Sequence, residues 1–260
     1  MKLQKIIQTL EQIAPLRFAE EWDNVGLLLS PLTERPIQKI RLTIDLTETV
    51  ADEAINDNID LIISYHPILF NPPKQITPNS AYSRVLMKLI QHNIAVYSPH
   101  TALDAVIGGV NDWLVDCLEA DEVSILQPLE NDQAGQGRLI EFSNPISLDD
   151  LLKRTKNNLH LKTIRYASPE PNRSIKTVAL CAGAGSDAFQ NIQADCFFTG
   201  EMSHHQILAL TQNGAAVILC EHTRTERGYL PTFGKILGKA LGKGVDISIS
   251  EIDADPIQFN

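Results

Sequence analysis

Basic residues are outnumbered in this 260-residue chain: 22 Lys and Arg face 32 Asp and Glu, a formal net charge of −10. That balance repels nucleic acid and anionic lipid at long range, which disfavours broad, sequence-independent binding to either. Cysteine is scarce. Cys117, Cys181, Cys196 and Cys220 include no pair at the spacing of a zinc knuckle, and the last three lie in or beside apolar runs. Buried, reduced thiols are therefore expected rather than a disulfide framework. Long hydrophobic runs are missing too: no stretch approaches the roughly eighteen apolar residues of a membrane span. The first fifteen residues break their apolar run with Gln and Glu, so neither a signal peptide nor a span is expected there. The expectation is a soluble, cytoplasmic protein. No Gly-x-Ser-x-Gly occurs and no Ser/His/Asp order stands out, which argues against a serine hydrolase.

What remains is ordinary globular composition, 43% hydrophobic and 21% charged, which rules out a disordered chain. At roughly 150 residues per domain the length suits one large domain or two small ones. Ile6, Ile7, Leu10 and Ile13 fall at helical spacing, and Pro15 ends that helix. Short β-branched runs at 25–29, 40–44, 61–64 and 95–98 then alternate with helical patterns at 48–55, 82–91 and 110–118. The polar segment 131–137 reads as a linker. Beyond it, strands are expected at 139–142, 163–166, 177–181, 196–199, 216–220 and 245–250. Helices fit at about 148–159, with Ser147 as N-cap, and at 203–212 and 229–241. The pattern predicts an α/β protein of two similar halves, 1–130 and 131–260, with mostly parallel or mixed sheets. Gly183 to Ser186 reads as a tight strand-to-helix turn more readily than as an anion cradle.

The halves repeat each other. LIIS leads to Tyr65-His66-Pro67, and AVYS leads to His100-Thr101-Ala102-Leu103-Asp104. CFFT leads to Gly200-Glu201 and His204-His205, and AVILC leads to Glu221-His222-Thr223-Arg224-Thr225-Glu226. A duplicated α/β unit explains both His-Thr-x-x-acid loops. Five of the seven histidines, His66, His100, His204, His205 and His222, thus lie just past predicted strand ends or at the next helix start, where open sheets bind ligands. His100/Asp104 and His222/Glu226 are i, i+4 pairs that a helical turn would place on one face. Imidazole and carboxylate suit zinc, iron, manganese or nickel, and a bridging carboxylate can serve two metals. Singly, each histidine also reads as a hydrogen-bonded loop residue. Asp45 either reaches the same rim or caps the following helix, as Thr47 could instead. Glu201 and His204 suit an acid/base pair or the support of a ligand, or simply charge at a helix start. Trp22-Asp23-Asn24 reads as structural, with Trp packing and the polar pair shaping the turn.

In order, WDNVGLLL, DLIISYHPILF, YSPHTALDAVIGGVNDWL, FFTGEMSHH and EHTRTERGYL resemble the Nif-three-like family, whose members are often labelled GTP cyclohydrolase I type 2 homologues or dinuclear-metal-centre proteins. The matches run over residues 22–230, and the short middle region resembles the compact form without the family's inserted domain. The resemblance implies the Nif-three-like fold and a homohexamer, a trimer of dimers. It implies metal ligation by His66, Asp104, His222 and Glu226, with Glu226 bridging two metals and His100 beside the cluster. Tyr65 stands where many bacterial members have a further histidine. A neutral phenol, with a pKa near 10, is a poor ligand, so a weak or empty second metal position is expected. The implied activity is metal-dependent hydrolysis of a purine nucleotide or phosphoester, with His100, Glu201 or His204 moving protons. The alternative is a metal-binding oligomer that serves as a regulatory or scaffold partner for another protein.

Overall fold

The computed structural model describes residues 1–71, 73–129 and 133–259. Its elements in chain order are α1 (Leu3–Ile13), β1 (Gly26–Leu29), β2 (Lys39–Thr43), α2 (Glu48–Asn56), β3 (Leu61–Ser64), α3 (Ala81–Gln91), β4 (Ala95–Ser98) and α4 (His100–Ala105). There follow α5 (Val110–Leu118), β5 (Glu122–Leu129), β6 (Ala134–Ser147), α6 (Leu148–Asn158), β7 (Arg165–Ala167), β8 (Ser174–Leu180), β9 (Cys196–Thr199), α7 (His204–Gln212), β10 (Ala216–Leu219), α8 (Leu230–Leu241) and β11 (Asp246–Ile249).

Two compact units result, one of residues 1–103 with 229–260, the other of residues 104–228. These differ from the contiguous halves 1–130 and 131–260. The physical reason is pairing that no local pattern records: β11 lies parallel to β2, with Ile247 opposite Ile40, and α8 packs on α1. The first unit holds a mixed five-stranded sheet in the order β1-β4-β3-β2-β11, and the second a mixed six-stranded sheet in the order β5-β6-β8-β9-β10-β7. The duplication expected from the sequence is visible in these orders. Each sheet has three neighbouring parallel strands, β2-β3-β4 and β8-β9-β10, flanked by an antiparallel edge strand, β1 or β7.

Parallel strands covered on both faces should be apolar throughout, and β3, β4, β9 and β10 are buried at every position. In the first unit, α2 and α3 cover the sheet through Ala51, Ala54, Val85 and Leu89, packed on Ile62 and Val96. In the second, Phe189 stacks edge-on against Phe197 over Ala179. Hydroxyl N-caps start four of the helices: Thr47 on α2, Ser80 on α3, Ser147 on α6, and Ser203 with Gln206 as a capping box on α7.

The expected linker at 131–137 needs correction. Residues 131 and 132 lie outside the described residues, but Ala134, Gly135, Gln136 and Gly137 begin β6 and pair with β5. Gly137 adopts φ +63°, which a glycine tolerates without strain, so this segment lies within a paired strand rather than linking domains. Strand β5 itself escaped the sequence reading, because Glu122, Gln127 and Pro128 dilute its apolar signal, as befits a sheet edge.

All four cysteines are buried thiols, and none is joined in a disulfide. Burial, with Asp116 nearby, pushes the Cys117 thiol up to about 11, and burial raises Cys196 and Cys220 as well. Ellman's reagent at pH 8 is therefore expected to leave the native protein unlabelled over minutes and to titrate four thiols per chain in guanidinium. Rapid native labelling of any of them would contradict this packing.

Candidate metal centre

Parallel pairing continues for two residues beyond the regular strands in the first unit. Tyr65 N–H donates to the Thr43 carbonyl at 2.8 Å and His66 N–H to the Ile44 carbonyl at 3.1 Å. Asp45 and His66 therefore leave the sheet side by side, and His66 Nδ1 lies 2.8 Å from Asp45 Oδ1. The choice left open by the sequence is resolved by the hydroxyl. Thr47 Oγ1 accepts from Val50 N–H at the start of α2, so Asp45 reaches the rim and meets the histidine.

The second unit repeats the device. Cys220 N–H donates to the Thr199 carbonyl at 3.1 Å, which carries the β9–β10 pairing past its end. Glu201, following β9, then meets His222, following β10, with Oε1 2.9 Å from Nδ1. The 3₁₀ turn Thr223–Thr225 brings round Glu226, whose Oε1 is 3.3 Å from His222 Nε2. The i, i+4 presentation expected for this pair is thus present. Glu226 is only 3% exposed. Gly183 fits against both side chains: a Cβ there would sit 2.6 Å from Glu226 Oε1 and 3.0 Å from His222 Nε2, and its φ of +61° also selects glycine. Gly183 N–H donates to Thr225 Oγ1 at 2.8 Å, and that hydroxyl donates to the His222 carbonyl at 2.7 Å, which pins the cradle. The Gly183 segment is the tight turn expected, leading into the 3₁₀ helix Gly185–Phe189.

His100 forms a third such pair, with Asp23. Nδ1 lies 2.9 Å from Asp23 Oδ1, while Thr101 donates to Oδ2 from its N–H at 3.2 Å and its hydroxyl at 2.5 Å. Burial alone would push the Asp23 carboxyl up, but the hydrogen bonds from His100 and Thr101, with the electrostatic pull of the neighbouring imidazole, outweigh it and hold it below the usual carboxylate range. Asp23 therefore does more than shape a turn. Trp22 packs against the rings of Phe70 and His100, as a structural role expects, yet stands 60% exposed.

Three histidines thus each carry a carboxylate on Nδ1. A ring that donates Nδ1–H keeps its lone pair on Nε2, the arrangement that metal-binding histidines usually show. His222 and Glu226 form a His/Glu cluster that could hold a metal ion, and His66 offers a further ligand atom of the same kind. The other expected site residues are placed as follows. Asp104 lies half-buried in α4, and its carbonyl accepts from Asn111 Nδ2 at 3.1 Å. Asn111 Oδ1 in turn accepts from Ala182 N–H, next to Gly183. Glu201 is engaged with His222. His204 opens α7 on the exposed surface, its ring 5.5 Å from that of His205. Tyr65 is buried, its ring edge-on to His100 at 5.4 Å and tilted on His66 at 5.1 Å.

Fold and site together define an α/β protein of duplicated design with a His/Glu cluster able to bind metal. The chain belongs to the DUF34/NIF3 family: the model described as Duf34/NIF3 (NGG1p interacting factor 3) matches residues 1–256. It is similar to NIF3-like protein 1 of Drosophila melanogaster, 43% identical over 98% of this chain and 88% of the relative. It is also similar to NGG1-interacting factor 3 of Saccharomyces cerevisiae, 38% identical over 98% and 96%. Among solved structures, a Staphylococcus aureus hypothetical protein, SA1388, superposes with a TM-score of 0.88 at 26% identity, covering 100% of this chain and 99% of that one.

If the Nδ1 carboxylates hold the rings for a metal, Asp45→Asn and Glu201→Gln each lower zinc affinity about 10–100-fold. Competition against a chromophoric chelator measures this, with thermal melting of the metal-free protein as the control for folding. Unchanged affinity in both variants would show that the carboxylates do not serve a metal.

Proposed function

We propose that the protein is a divalent-metal-dependent hydrolase in which His66, Asp104, His222 and Glu226 hold the metal and a purine nucleotide or other phosphoester is cleaved. The observation that carries this reading is the Glu226 carboxylate, buried beside His222 Nε2 while Glu201 occupies Nδ1. Burying a carboxylate is costly unless a cation or donors compensate. A donor set of imidazole nitrogen and carboxylate oxygen suits zinc, iron, manganese or nickel. A bound ion of this kind supplies Lewis acidity, lowering the pKa of water toward neutrality and polarising a substrate oxygen.

The chain's own residues divide the remaining work. Asp45 and Glu201 hold His66 and His222 in one tautomer, so that Nε2 is the ligating atom. Asp23 orients His100, which suits that imidazole to take or return a proton at Nε2. Glu201 and His204 are the other candidates for proton transfer, and the exposure of both suits exchange with solvent. Tyr65, a buried phenol packed on His66, favours one well-held ion over two. The homohexamer, a trimer of dimers, and a cytoplasmic location belong to the same proposal. No helix among the described residues is long and apolar enough to cross a membrane.

A second reading has its own support. The yeast relative is named as an NGG1-interacting factor, which favours a metal-binding oligomer that serves as a regulatory or scaffold partner of another protein.

Elemental analysis after purification without chelator or affinity metal tests the site. The hydrolase reading expects about one metal per chain, a loss of metal and of turnover on a nucleotide and phosphoester panel in Glu226→Ala, and a rise toward two metals in Tyr65→His. Full metal and turnover in Glu226→Ala would sink it. Metal without turnover on the panel, and assembly that survives Glu226→Ala, would favour the scaffold.

A further inference from the structure

Trp22 and Phe70 are the puzzle of the first unit. Both are large aromatic side chains on loops, 60% and 49% exposed, and their rings lie 5.8 Å apart at 58°, the two walls of an open wedge. The His100 ring closes the wedge, 6.0 Å from Trp22 and 6.4 Å from Phe70, nearly edge-on to each.

Strong anchors hold the exposed rings. The turn carrying Trp22 is tied down by the Asp23 carboxylate, whose side chain is fully buried and bound to His100 and Thr101. Glu20 N–H adds a bond to Thr101 Oγ1 at 3.0 Å, and Asn24 Nδ2 donates to the Leu69 carbonyl at 2.5 Å, which joins the Trp22 turn to the Phe70 loop. His100, the first residue of α4, holds φ +28°, a backbone conformation that a non-glycine residue keeps only where its surroundings enforce it. Rigid aromatic faces beside a fixed imidazole are what a flat ring stacks on.

The charge at the wedge narrows the choice of ligand. Glu20, Glu21 and Asp23 share the turn. Burial, with Asp23 and Glu21 close by, pushes the Glu20 carboxyl up, so negative charge is already crowded there. A planar anion would be repelled, whereas an uncharged or cationic ring would be welcome. A nitrogen heterocycle adds ring N–H or amino groups that an imidazole nitrogen can accept.

We infer that Trp22, Phe70 and His100 form a binding subsite for the flat face of an uncharged or cationic nitrogen heteroaromatic ring, of the nucleobase class. The inference deepens the purine-nucleotide reading proposed above, with which it shares His100, but its observations are these rings and their anchors, and binding of the ring needs no metal.

The test is fluorescence of the metal-free, chelator-treated full chain in a Trp113→Phe background, where Trp22 is the sole tryptophan. Adenosine is the probe and benzoate the planar anionic control. Adenosine is expected to quench Trp22 saturably, Phe70→Ala to weaken that binding at least about fivefold, and benzoate to leave the signal unchanged. In saturation-transfer NMR on the unaltered chain, the adenine protons should receive more saturation than the ribose protons. Linear quenching that matches N-acetyltryptophanamide overturns the inference. So does a ligand-free Trp22 already shielded from acrylamide, which would mean that a second copy of the chain covers the wedge. Equal binding of benzoate overturns the assigned charge class. Because metal is absent throughout, failure here leaves the hydrolase reading untouched, and the metal-content measurement leaves this one untouched.

Discussion

A carboxylate on Nδ1 fixes both the tautomer and the rotamer of a histidine, and in this protein parallel-strand register supplies the carboxylate. Asp45 meets His66 because β2 and β3 stay paired for two residues past their ends, and Glu201 meets His222 because β9 and β10 do nearly the same. Neighbouring parallel strands lie roughly 4.8 Å apart, close enough for side chains in adjacent exit loops to bond directly. The site chemistry therefore hangs on register. A one-residue slip in either ladder would turn the partner side chain to the opposite face and separate the pair. Close packing resists such a slip: β3, β9 and β10 are buried at every position, so a shift would misfit each of their side chains against its neighbours.

Other details serve the same end. Thr47 takes the cap of α2, which leaves the Asp45 carboxylate to the histidine. Gly183 gives up a side chain so that Glu226 and His222 can lie against backbone, and the Thr225 hydroxyl links that backbone to the His222 carbonyl. Asn111 binds the carbonyl of Asp104 and the N–H of Ala182 with one buried amide, which fixes two loops of the second unit by a single side chain. Each device is a short-range hydrogen bond beyond the end of a rigid sheet. A fold that builds its loops this way can hold ligand atoms in place before any ion arrives.

Much of this was legible in the residues. LIIS, CFFT and AVIL announce buried parallel strands because each is a short apolar run at the right spacing from a helix, and Ser147 announces its helix because a hydroxyl is the natural N-cap. The repeated His-Thr-x-x-acid loops foretold the repeated sheet order. Long-range pairing left no local trace: nothing near Ile247 says that it will lie beside Ile40, so the return of α8 and β11 to the first unit was missed. Nor could spacing decide between Asp45 and Thr47 as a cap, because both are good caps and only the three-dimensional ladder puts His66 within reach. Asp23 was hidden for the same reason, 77 positions from His100 in a turn that would look ordinary without its partner.

The most direct check is an anomalous-difference map at the zinc edge, from crystals of the full chain grown with zinc. The account expects a peak at about 2.0–2.2 Å from His222 Nε2 and a Glu226 carboxylate oxygen, with Glu201 still on Nδ1 of His222 and Asp45 still on Nδ1 of His66. A peak bound through either Nδ1, with the carboxylate displaced, would contradict it. So would zinc only at the exposed His204-His205 pair.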